Sequence, residues 1–419
     1  MLEAGENTAL PAGSCWGSGR QLGRFGLAGA AVLLGFWVLL LLLRPSLFPE
    51  GGYEGNAAWR EQVPRGIRLV GDTPRYVQGA ENLLAGRPFE NKQWSYVGYV
   101  AIVAACLGSG IGLPGVVAVQ VLVALLSLPC LYGLGRRVGG APVGVIAVLL
   151  HAGNPEVAAW HTIIQTDSLY ISWLVIFLWL SMEARERGWA WRVVTLVPAG
   201  VALVLIRPNG WIVPPMLGLH AILTARRWAW HVRLGALGAL VGVLLLVAFG
   251  VSGLRRGIEA ESPVQMLYKG EVLWGDSPSR LQMPAAMVTS DDWGPALRYI
   301  LKHPLACTEL ALARVTALFG RVRASYSFRH NLFLLCAYPP LYLLALWGAW
   351  RQRQRWEVGL LLAVIGGHVL TVAVTFDHVD GRFFLYFLPE LGTFSAAGAA
   401  ALACALCRSW RRVACSLPS

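Results

Sequence analysis

Four short stretches of the sequence place carboxylate, histidine or arginine side chains beside long apolar runs. They are Gly71-Asp72-Thr73-Pro74-Arg75-Tyr76, His161-Thr162-Ile163-Ile164-Gln165-Thr166-Asp167-Ser168, Arg207-Pro208-Asn209-Gly210 and Asp377-His378-Val379-Asp380-Gly381-Arg382. Burying an ionisable group at a membrane boundary costs several kcal/mol unless the group has a partner or a task. These side chains are therefore the candidates for chemistry.

Each stretch also has a structural interpretation. Asp72 stands where a short helix with Pro74 in its first turn would begin, and Asp167 precedes another apolar run. The structural alternative for each carboxylate is therefore that it caps a helix and has no catalytic role. Arg207 either anchors to lipid headgroups or binds an anionic substrate. The Asp-His-x-Asp stretch has metal-ligand side chains but no third ligand at a fixed spacing, and a solvated turn is the alternative.

The composition predicts that membrane helices hold these residues. Of 419 residues, 56% are apolar and 14% are charged, against about 45–50% and about 25% in soluble domains. In a bilayer the backbone is satisfied by helices that hydrogen-bond internally. The predicted fold class is all-α, a polytopic integral membrane protein with about ten transmembrane helices plus juxtamembrane helices. The predicted spans are 25–43, 115–134, 141–154, 168–182, 193–206, 210–223, 234–252, 331–350, 357–376 and 383–407.

The arginines predict the orientation. The net charge is +12, from 32 Arg and only 3 Lys against 23 acidic residues. The basic residues lie in short loops between apolar runs, which indicates membrane topology and not a nucleic-acid partner. If segment 96–111 does not cross, sixteen arginines fall on the cytoplasmic side and 18 of the acidic residues outside. We therefore expect 96–111 to be a juxtamembrane or re-entrant helix, and the four stretches to meet on the outer face.

This topology divides the chain into seven segments. Cytoplasmic tails are expected at 1–24 and 408–419, and the first transmembrane helix at 25–43. An outer loop with juxtamembrane helices, 44–114, carries Asp72, and a transmembrane module, 115–252, follows. A second outer loop with amphipathic helices, 253–330, precedes the C-terminal transmembrane helices, 331–407.

An outward-facing site with two carboxylates and several arginines suits transfer from a phosphate-bearing lipid to a hydroxyl. One carboxylate takes the proton of the acceptor, and cations stabilise the departing phosphate. Two other classes stay open. A transporter or flippase of lipid-linked sugars would need ionisable residues along a path through the mid-membrane, and a non-catalytic subunit would bind polyprenyl lipids without transfer.

A series of short motifs runs in order from about residue 68 to 395, and it resembles the GT-C membrane glycosyltransferases. The likeness is to the bacterial branch related to protein O-mannosyltransferases and aminoarabinose transferases. The motifs are Asp72-x-x-Arg75-Tyr76 with its Ala-Glu-x-Leu helix and Gly-Arg-Pro-Phe, Lys92 before Trp94 and Tyr96, Arg136-Arg137, Thr166-Asp167-Ser168-Leu169, Arg207-Pro208, His303-Pro304, and Arg382 ahead of Leu388-Pro389.

The resemblance implies an inverting transfer of a sugar from a polyprenyl-phosphate carrier to a glycan, lipid or protein acceptor. The enzyme would lie in the bacterial inner membrane with its active site on the extracytoplasmic side. It implies that Asp72 is the base or acceptor-positioning carboxylate, and that Asp167 is a second acid near the acceptor or a divalent ion. The one cofactor that the resemblance leaves open is a divalent metal, with Asp72 and Asp167 as the candidate ligands. The implied substrate-binding residues are Arg75, Tyr76, Lys92, Arg207, His378 and Arg382.

The sequence departs from the family pattern in two places. The family often has a second acid directly after the first-loop aspartate, where this chain has Thr73. The usual Pro-Pro after the loop lysine is Gln93-Trp94 here. The first departure bears on whether the enzyme depends on a metal, and the second bears on whether Lys92 contacts the donor phosphate.

Overall fold

The computed structural model describes residues 19–43, 66–225, 229–240, 242, 263–275, 279–285 and 293–416. Helices form most of this part of the chain, which confirms the predicted all-α class. The helices in the N-terminal half are α1 (Gly19–Leu43), α2 (Thr73–Leu84), α3 (Val97–Gly108), α4 (Gly112–Gly139), α5 (Ala141–Ala152), α6 (Pro155–His161), α7 (Thr166–Glu186), α8 (Trp189–Ile206) and α9 (Val213–Thr224).

The C-terminal half continues the helical pattern. Its helices are α10 (Pro263–Tyr268), α11 (Trp293–Lys302), α12 (Pro304–Gly320), α13 (Phe328–Arg351), α14 (Trp356–Val374), α15 (Arg382–Leu385) and α16 (Leu388–Ser416). Short 3-10 helices cover Asn91–Tyr96 and Pro208–Ile212, and residues 230–240 are helical.

Six helices of the described part are long and apolar enough to cross a membrane, or seven if a bent pair counts as one span. The six correspond to α1, α4, α7, α13, α14 and residues 388–407 of α16. The bent pair is α5 with α6, which meet at 62° around Gly153 and Asn154. The structure therefore does not confirm the count of ten.

Three of the predicted spans account for the difference. The first, 193–206, lies in α8, whose apolar part, Ala190–Ile206, is only 17 residues long. The second, 210–223, divides into a 3-10 turn and the 12-residue α9. The third, 234–252, includes residues 241 and 243–252, which lie outside the described part. The segment 96–111 forms α3, whose 12 residues extend about 18 Å, less than the roughly 30 Å of a hydrocarbon core.

α7 lies at the centre of the bundle and separates two charged regions. Of the candidate spans it is the most enclosed, with 72% of its apolar segment buried inside the protein. Asp167 lies in its first turn, whereas Glu183 and Glu186 near its end bind Arg137 of α4, with N···O distances of 2.6 and 2.5 Å. The 21 residues of α7 extend about 32 Å. The arginine-rich loops and the aspartate stretches are thus at opposite ends of the bundle.

The second predicted outer loop contains a small sheet that periodicity did not indicate. Strand β1 (Glu271–Trp274) pairs antiparallel with β2 (Ser279–Arg280) and parallel with β3 (Asp377–His378), and Leu273 lies opposite Asp377. The sheet joins this loop to the Asp-His-x-Asp stretch. Buried Arg314 of α12 strengthens the junction, because its guanidinium donates to the backbone oxygens of Met266, Glu271 and Ala373.

The first predicted outer loop is attached to the start of α7. Arg68 pairs with Ile163 in an isolated parallel bridge, and its backbone bonds Thr162 O and Ile164 N at 3.0 and 3.1 Å. Fully buried Thr73 adds to this attachment, since its hydroxyl accepts from Val70 N at 2.9 Å and donates to Ile164 O at 3.2 Å. The position where the family often has a second acid is therefore used here to fix Asp72 beside residues 164–167.

Candidate active site

Asp72 stands at the N-cap position of α2, but its carboxylate does not cap the helix. Oδ1 lies 3.2 Å from Arg75 Nη2, and Oδ2 accepts from Arg382 Nη1 at 3.0 Å and from Gln165 Nε2 at 3.4 Å. Its side chain remains 17% exposed. The capping interpretation of Asp72 is therefore wrong: the carboxylate lies at a junction of three segments and is open on one side.

The arginines set the charge state of Asp72. Burial by itself raises the pKa of this carboxyl, but Arg382 and then Arg75 outweigh burial and lower the pKa to about 2. Arg207 acts in the same direction more weakly. Asp72 is consequently an anion throughout the physiological pH range.

Asp167 lies in a closed layer directly behind Asp72. Its Oδ2 accepts from Arg207 Nη1 at 2.9 Å, and its Oδ1 accepts from the Tyr386 hydroxyl at 2.6 Å. Arg207 Nη1 also donates to Thr166 Oγ1 at 2.5 Å. The side chains of Asp167 and Arg207 are only 1% and 5% exposed. The N-cap of α7 is Gln165, so Asp167 is not a cap either, and its role in this arrangement is to neutralise and orient Arg207.

Arg382 belongs to the fourth predicted stretch and joins that stretch to Asp72 and to Gln165 at the start of α7. Its Nη1 donates to Asp72 and, at 3.2 Å, to Gln165 Oε1, while its Nε lies 3.8 Å from Asp380 Oδ1. The same Asp380 oxygen lies 2.6 Å from His378 Nδ1. The structure thus brings Asp72, Arg75, Asp167, Arg207, His378 and Arg382 into one cluster, although they come from four distant stretches.

Tyr76 and Lys92 lie on elements beside this cluster. Tyr76 is 1% exposed, and its ring packs edge-to-face on Tyr96 and Tyr99, with centroids 5.3 and 4.9 Å apart. Lys92 is half-buried in the 3-10 helix that also carries Tyr96. Arg75 lies over the Tyr96 ring at 5.7 Å and is 26% exposed. Among these predicted donor contacts, Arg75 forms an ion pair with Asp72.

Two glutamines with no predicted role hold the site together. Gln165 bridges Asp72 and Arg382, as described above. Gln120 of α4 is fully buried, accepts from the Tyr99 hydroxyl at 2.8 Å and donates to the backbone oxygens of His161 and Ile163, each at 2.9 Å. The sole sequence feature that could have identified Gln165 as a site residue is its place in the Gln165-Thr166-Asp167 motif. Gln120 lies within an apolar run, where a lone polar residue is itself a signal.

The described residues do not provide a metal site at this cluster. No three His, Cys, Asp or Glu side chains in the described ranges lie close enough together to hold an ion. Both Asp72 oxygens face guanidinium groups, and Asp167 is enclosed by Arg207 and Tyr386. Cations close to both carboxylates repel a divalent ion. The donor set implied by the resemblance, Asp72 with Asp167, therefore does not fit a metal.

The geometry combines an anion and cations on an accessible surface. Asp72 can accept a hydrogen bond from a hydroxyl, because its carboxylate is ionised and partly exposed. Arg75 is the most accessible of its cationic partners and can contact a phosphate, and the more buried Arg382 provides a fixed positive charge. Such fixed charges stabilise a transition state without reorganisation.

Residues 95–251 match the model of a family described as Dolichyl-phosphate-mannose-protein mannosyltransferase. The matched range contains Asp167 and Arg207, whereas Asp72 and Arg382 lie on either side of it. A search of the curated proteins finds no match.

Two solved structures of an archaeal oligosaccharyltransferase from Archaeoglobus fulgidus are similar to the chain. One is AglB in complex with an inhibitory peptide and a dolichol-phosphate, with a TM-score of 0.48, 14% identity, and 96% of this chain and 52% of that chain covered. The other is the apo form, with a TM-score of 0.45, 16% identity, and 93% and 52% covered. The chain thus spans about half the length of these structures. The resemblance to GT-C glycosyltransferases is confirmed by the family match over residues 95–251.

Proposed function

We propose that the chain is a membrane glycosyltransferase that moves a sugar from a polyprenyl-phosphate carrier to a hydroxyl acceptor. The observation that carries the proposal is the partly exposed Asp72 carboxylate, held between Arg75 and Arg382. The family match supports the reaction class. The cluster lies at the end of α7 opposite the arginine-rich loops, and by the positive-inside rule this supports a reaction on the extracytoplasmic face.

In the proposed reaction the acceptor oxygen attacks the anomeric carbon of the donor sugar. A bond forms between that oxygen and the carbon, and the bond between the carbon and the phosphate oxygen breaks. The acceptor proton passes to Asp72, and the polyprenyl phosphate leaves with the bonding electron pair. Arg75 and Arg382 stabilise its added negative charge. Attack on the face opposite the phosphate inverts the anomeric configuration.

The low pKa of Asp72 defines how the carboxylate takes part. An acid with a pKa of about 2 is a weak base toward a free hydroxyl, but it remains ionised and holds that hydroxyl by a charge-assisted hydrogen bond. The acceptor becomes much more acidic as its bond to the sugar forms, so proton transfer to Asp72 comes late in the step. The cations that lower this pKa also hold the phosphate.

The test compares Asp72→Asn with Glu81→Gln, an exposed acid on the same helix. Mass spectrometry of the lipid that co-purifies with the wild-type chain first identifies the carrier and the sugar. We expect Asp72→Asn to lower donor turnover by at least about a hundredfold while the protein still folds and inserts into the membrane, and Glu81→Gln to match wild type. Wild-type turnover by Asp72→Asn would refute the mechanism. Movement of the lipid across liposomes without any transfer would instead support a flippase.

A further inference from the structure

A second buried charge network lies directly behind the turn that carries Arg382. Its centre is Glu156 of α6, which is 5% exposed. Oε1 accepts from Arg321 Nη2 at 2.6 Å and contacts His330 Nε2 at 3.0 Å, and Oε2 accepts from the Tyr338 hydroxyl. Asn154 caps α6 by accepting from Glu156 N at 2.9 Å. The carboxylate is therefore fully used by groups from two segments, the turn after α12 and helix α13, and none of them belongs to the candidate active site.

Arg321 connects this network to the Arg382 turn. Its Nη1 donates to the backbone oxygen of Gly381, the residue directly before Arg382. Gly381 has a left-handed backbone with φ 63°, and a Cβ added there would collide with Arg321 Nη1. Arg321 also lies over the Phe384 ring at 4.9 Å. The guanidinium thus occupies the space that a side chain at position 381 would need.

Arg321 itself has an unfavourable backbone conformation. It follows α12 and has φ 60°, the sole positive φ of a residue other than glycine within the described ranges. A left-handed residue with a Cβ is strained unless its surroundings hold it in place. Here the surroundings are Glu156, Gly381 and two aromatic rings, and the side chain is 1% exposed.

We propose that Arg321 and Glu156 are positioning residues that hold the Gly381-Arg382 turn so that Arg382 stays on Asp72. The claim that this positioning matters for turnover rests on the proposed function. The geometric claim does not, because it concerns which groups fix Arg382. Without Glu156 the buried Arg321 charge would lose its paired carboxylate, and without Arg321 the Gly381 oxygen would lose its donor.

The charge state of Asp72 provides a readout that a purely structural role would not change. Asp72 faces Arg75 on α2, Arg382 on the turn, Arg207 after α8 and Tyr76 on its own helix. Burial opposes ionisation of this carboxyl, and Arg382 is the strongest of the groups that favour it. If Arg382 moves away, the pKa of Asp72 must rise.

The experiment compares Arg321→Met with Arg314→Met in the full-length protein. Arg314 lies in α12, which ends directly before Arg321, and is equally buried, but its guanidinium donates to backbone oxygens of residues 266, 271 and 373 and to none in the Gly381-Arg382 turn. Each variant is treated at pH 5 with a diazo reagent that esterifies protonated carboxyls, and mass spectrometry measures ester at Asp72. We expect at least about a tenfold increase in Arg321→Met and none in Arg314→Met. Glu156→Gln, which keeps the shape of the side chain, should also increase the ester.

Donor turnover against pH gives the second measurement. Wild type should have no acidic limb above about pH 4, whereas Arg321→Met should acquire one, and Arg321→Lys should restore part of the wild-type profile. Wild-type labelling in both Arg321→Met and Glu156→Gln would overturn the proposal. If Arg321→Met does not fold, labelling of Glu156→Gln alone decides. Labelling responds even if no sugar transfer is found, so failure of the proposed function is distinguished from failure of this inference.

Discussion

Asp72 and Asp167 are identical side chains in different surroundings, and the surroundings separate their roles. Asp72 is 17% exposed and has a guanidinium on each oxygen, whereas Asp167 is 1% exposed and has both oxygens occupied by Arg207 and Tyr386. An incoming hydroxyl can therefore reach Asp72 but not Asp167. Any effect of Asp167 on a bound substrate would therefore be indirect, through the Arg207 side chain that it neutralises and orients.

The buried pair of Asp167 and Arg207 should be intolerant of losing one partner. Arg207→Met leaves an unpaired buried carboxylate, which we expect to cost about 3–5 kcal/mol of stability. Arg187→Gln removes an exposed arginine that lies 3.9 Å from half-buried Glu183 and should change little. Thermal unfolding in detergent measures both, and the double variant Arg207→Met with Asp167→Asn should recover part of the loss. Equal shifts in the two single variants would contradict the assignment.

Asp377 should make stability depend on pH in the direction opposite to an ordinary salt-bridged acid. Burial raises its pKa to about 6, despite Arg323 at 2.6 Å. The folded state therefore holds the proton between about pH 4 and pH 6 where the unfolded chain has lost it. Its contribution to stability is present at low pH and is lost as pH rises through 6, by about 1 kcal/mol from pH 5 to pH 7.

Comparison of Asp377→Asn with wild type tests this dependence, because asparagine does not titrate. The melting temperature of each protein is measured at pH 5 and at pH 7. We expect the decrease between the two pH values to be smaller in Asp377→Asn. An equal decrease in both proteins would assign the pH dependence to other groups.

At the scale of elements, the site depends on how loops attach to helices and less on any single helix. The first outer loop reaches the start of α7 through the Arg68–Ile163 bridge and the Thr73 hydroxyl. Gln120 holds the same turn from the side of α4. These hydrogen bonds place Gln165 against Asp72.

Gln120→Leu should therefore disturb the site, although Gln120 itself bonds Tyr99, His161 and Ile163. The substitution keeps the volume but leaves the backbone oxygens of His161 and Ile163 without their buried donor, at a cost of about 2–4 kcal/mol. We expect a lower melting temperature and reduced donor turnover. Gln78→Leu, at an exposed position of α2, is the control and should resemble wild type. Full turnover in Gln120→Leu would show that this turn does not position Asp72.

At the scale of the whole molecule, the two charged regions at the ends of α7 predict an orientation. Exposed Arg351 and Arg353 lie near Arg137 and its glutamates, because Arg355 of the same loop donates to Arg137 O at 2.9 Å. The positive-inside rule makes this end cytoplasmic. The Asp72 end is then predicted to be extracytoplasmic, and we propose that the reaction takes place there.

Cysteine labelling tests this orientation. In a chain whose eight native cysteines are replaced, single cysteines are introduced at the exposed positions Glu81 and Gln354. A membrane-impermeant maleimide should label position 81 in intact cells and position 354 only after permeabilisation. The reverse pattern would put the candidate site in the cytoplasm and exclude an extracytoplasmic transfer.

The sequence by itself determined the all-α membrane class, because apolar run length and backbone hydrogen bonding leave few alternatives in a bilayer. It also selected Asp72, Asp167, Arg207 and Arg382, since charged residues beside apolar runs are conspicuous. The number of spans was not determined, because apolar composition does not reveal where a helix breaks or stays too short to cross, as where the Pro208–Ile212 turn shortens α9.

Only the tertiary structure decided which charges meet. Arg382 and Asp72 are 310 positions apart, and no local pattern encodes their contact. The same holds for Arg321 with Glu156 and for the sheet that joins residues 271–274 to 377–378. Contacts of this kind depend on how distant segments pack together, whereas a sequence pattern reports the surroundings of one segment at a time.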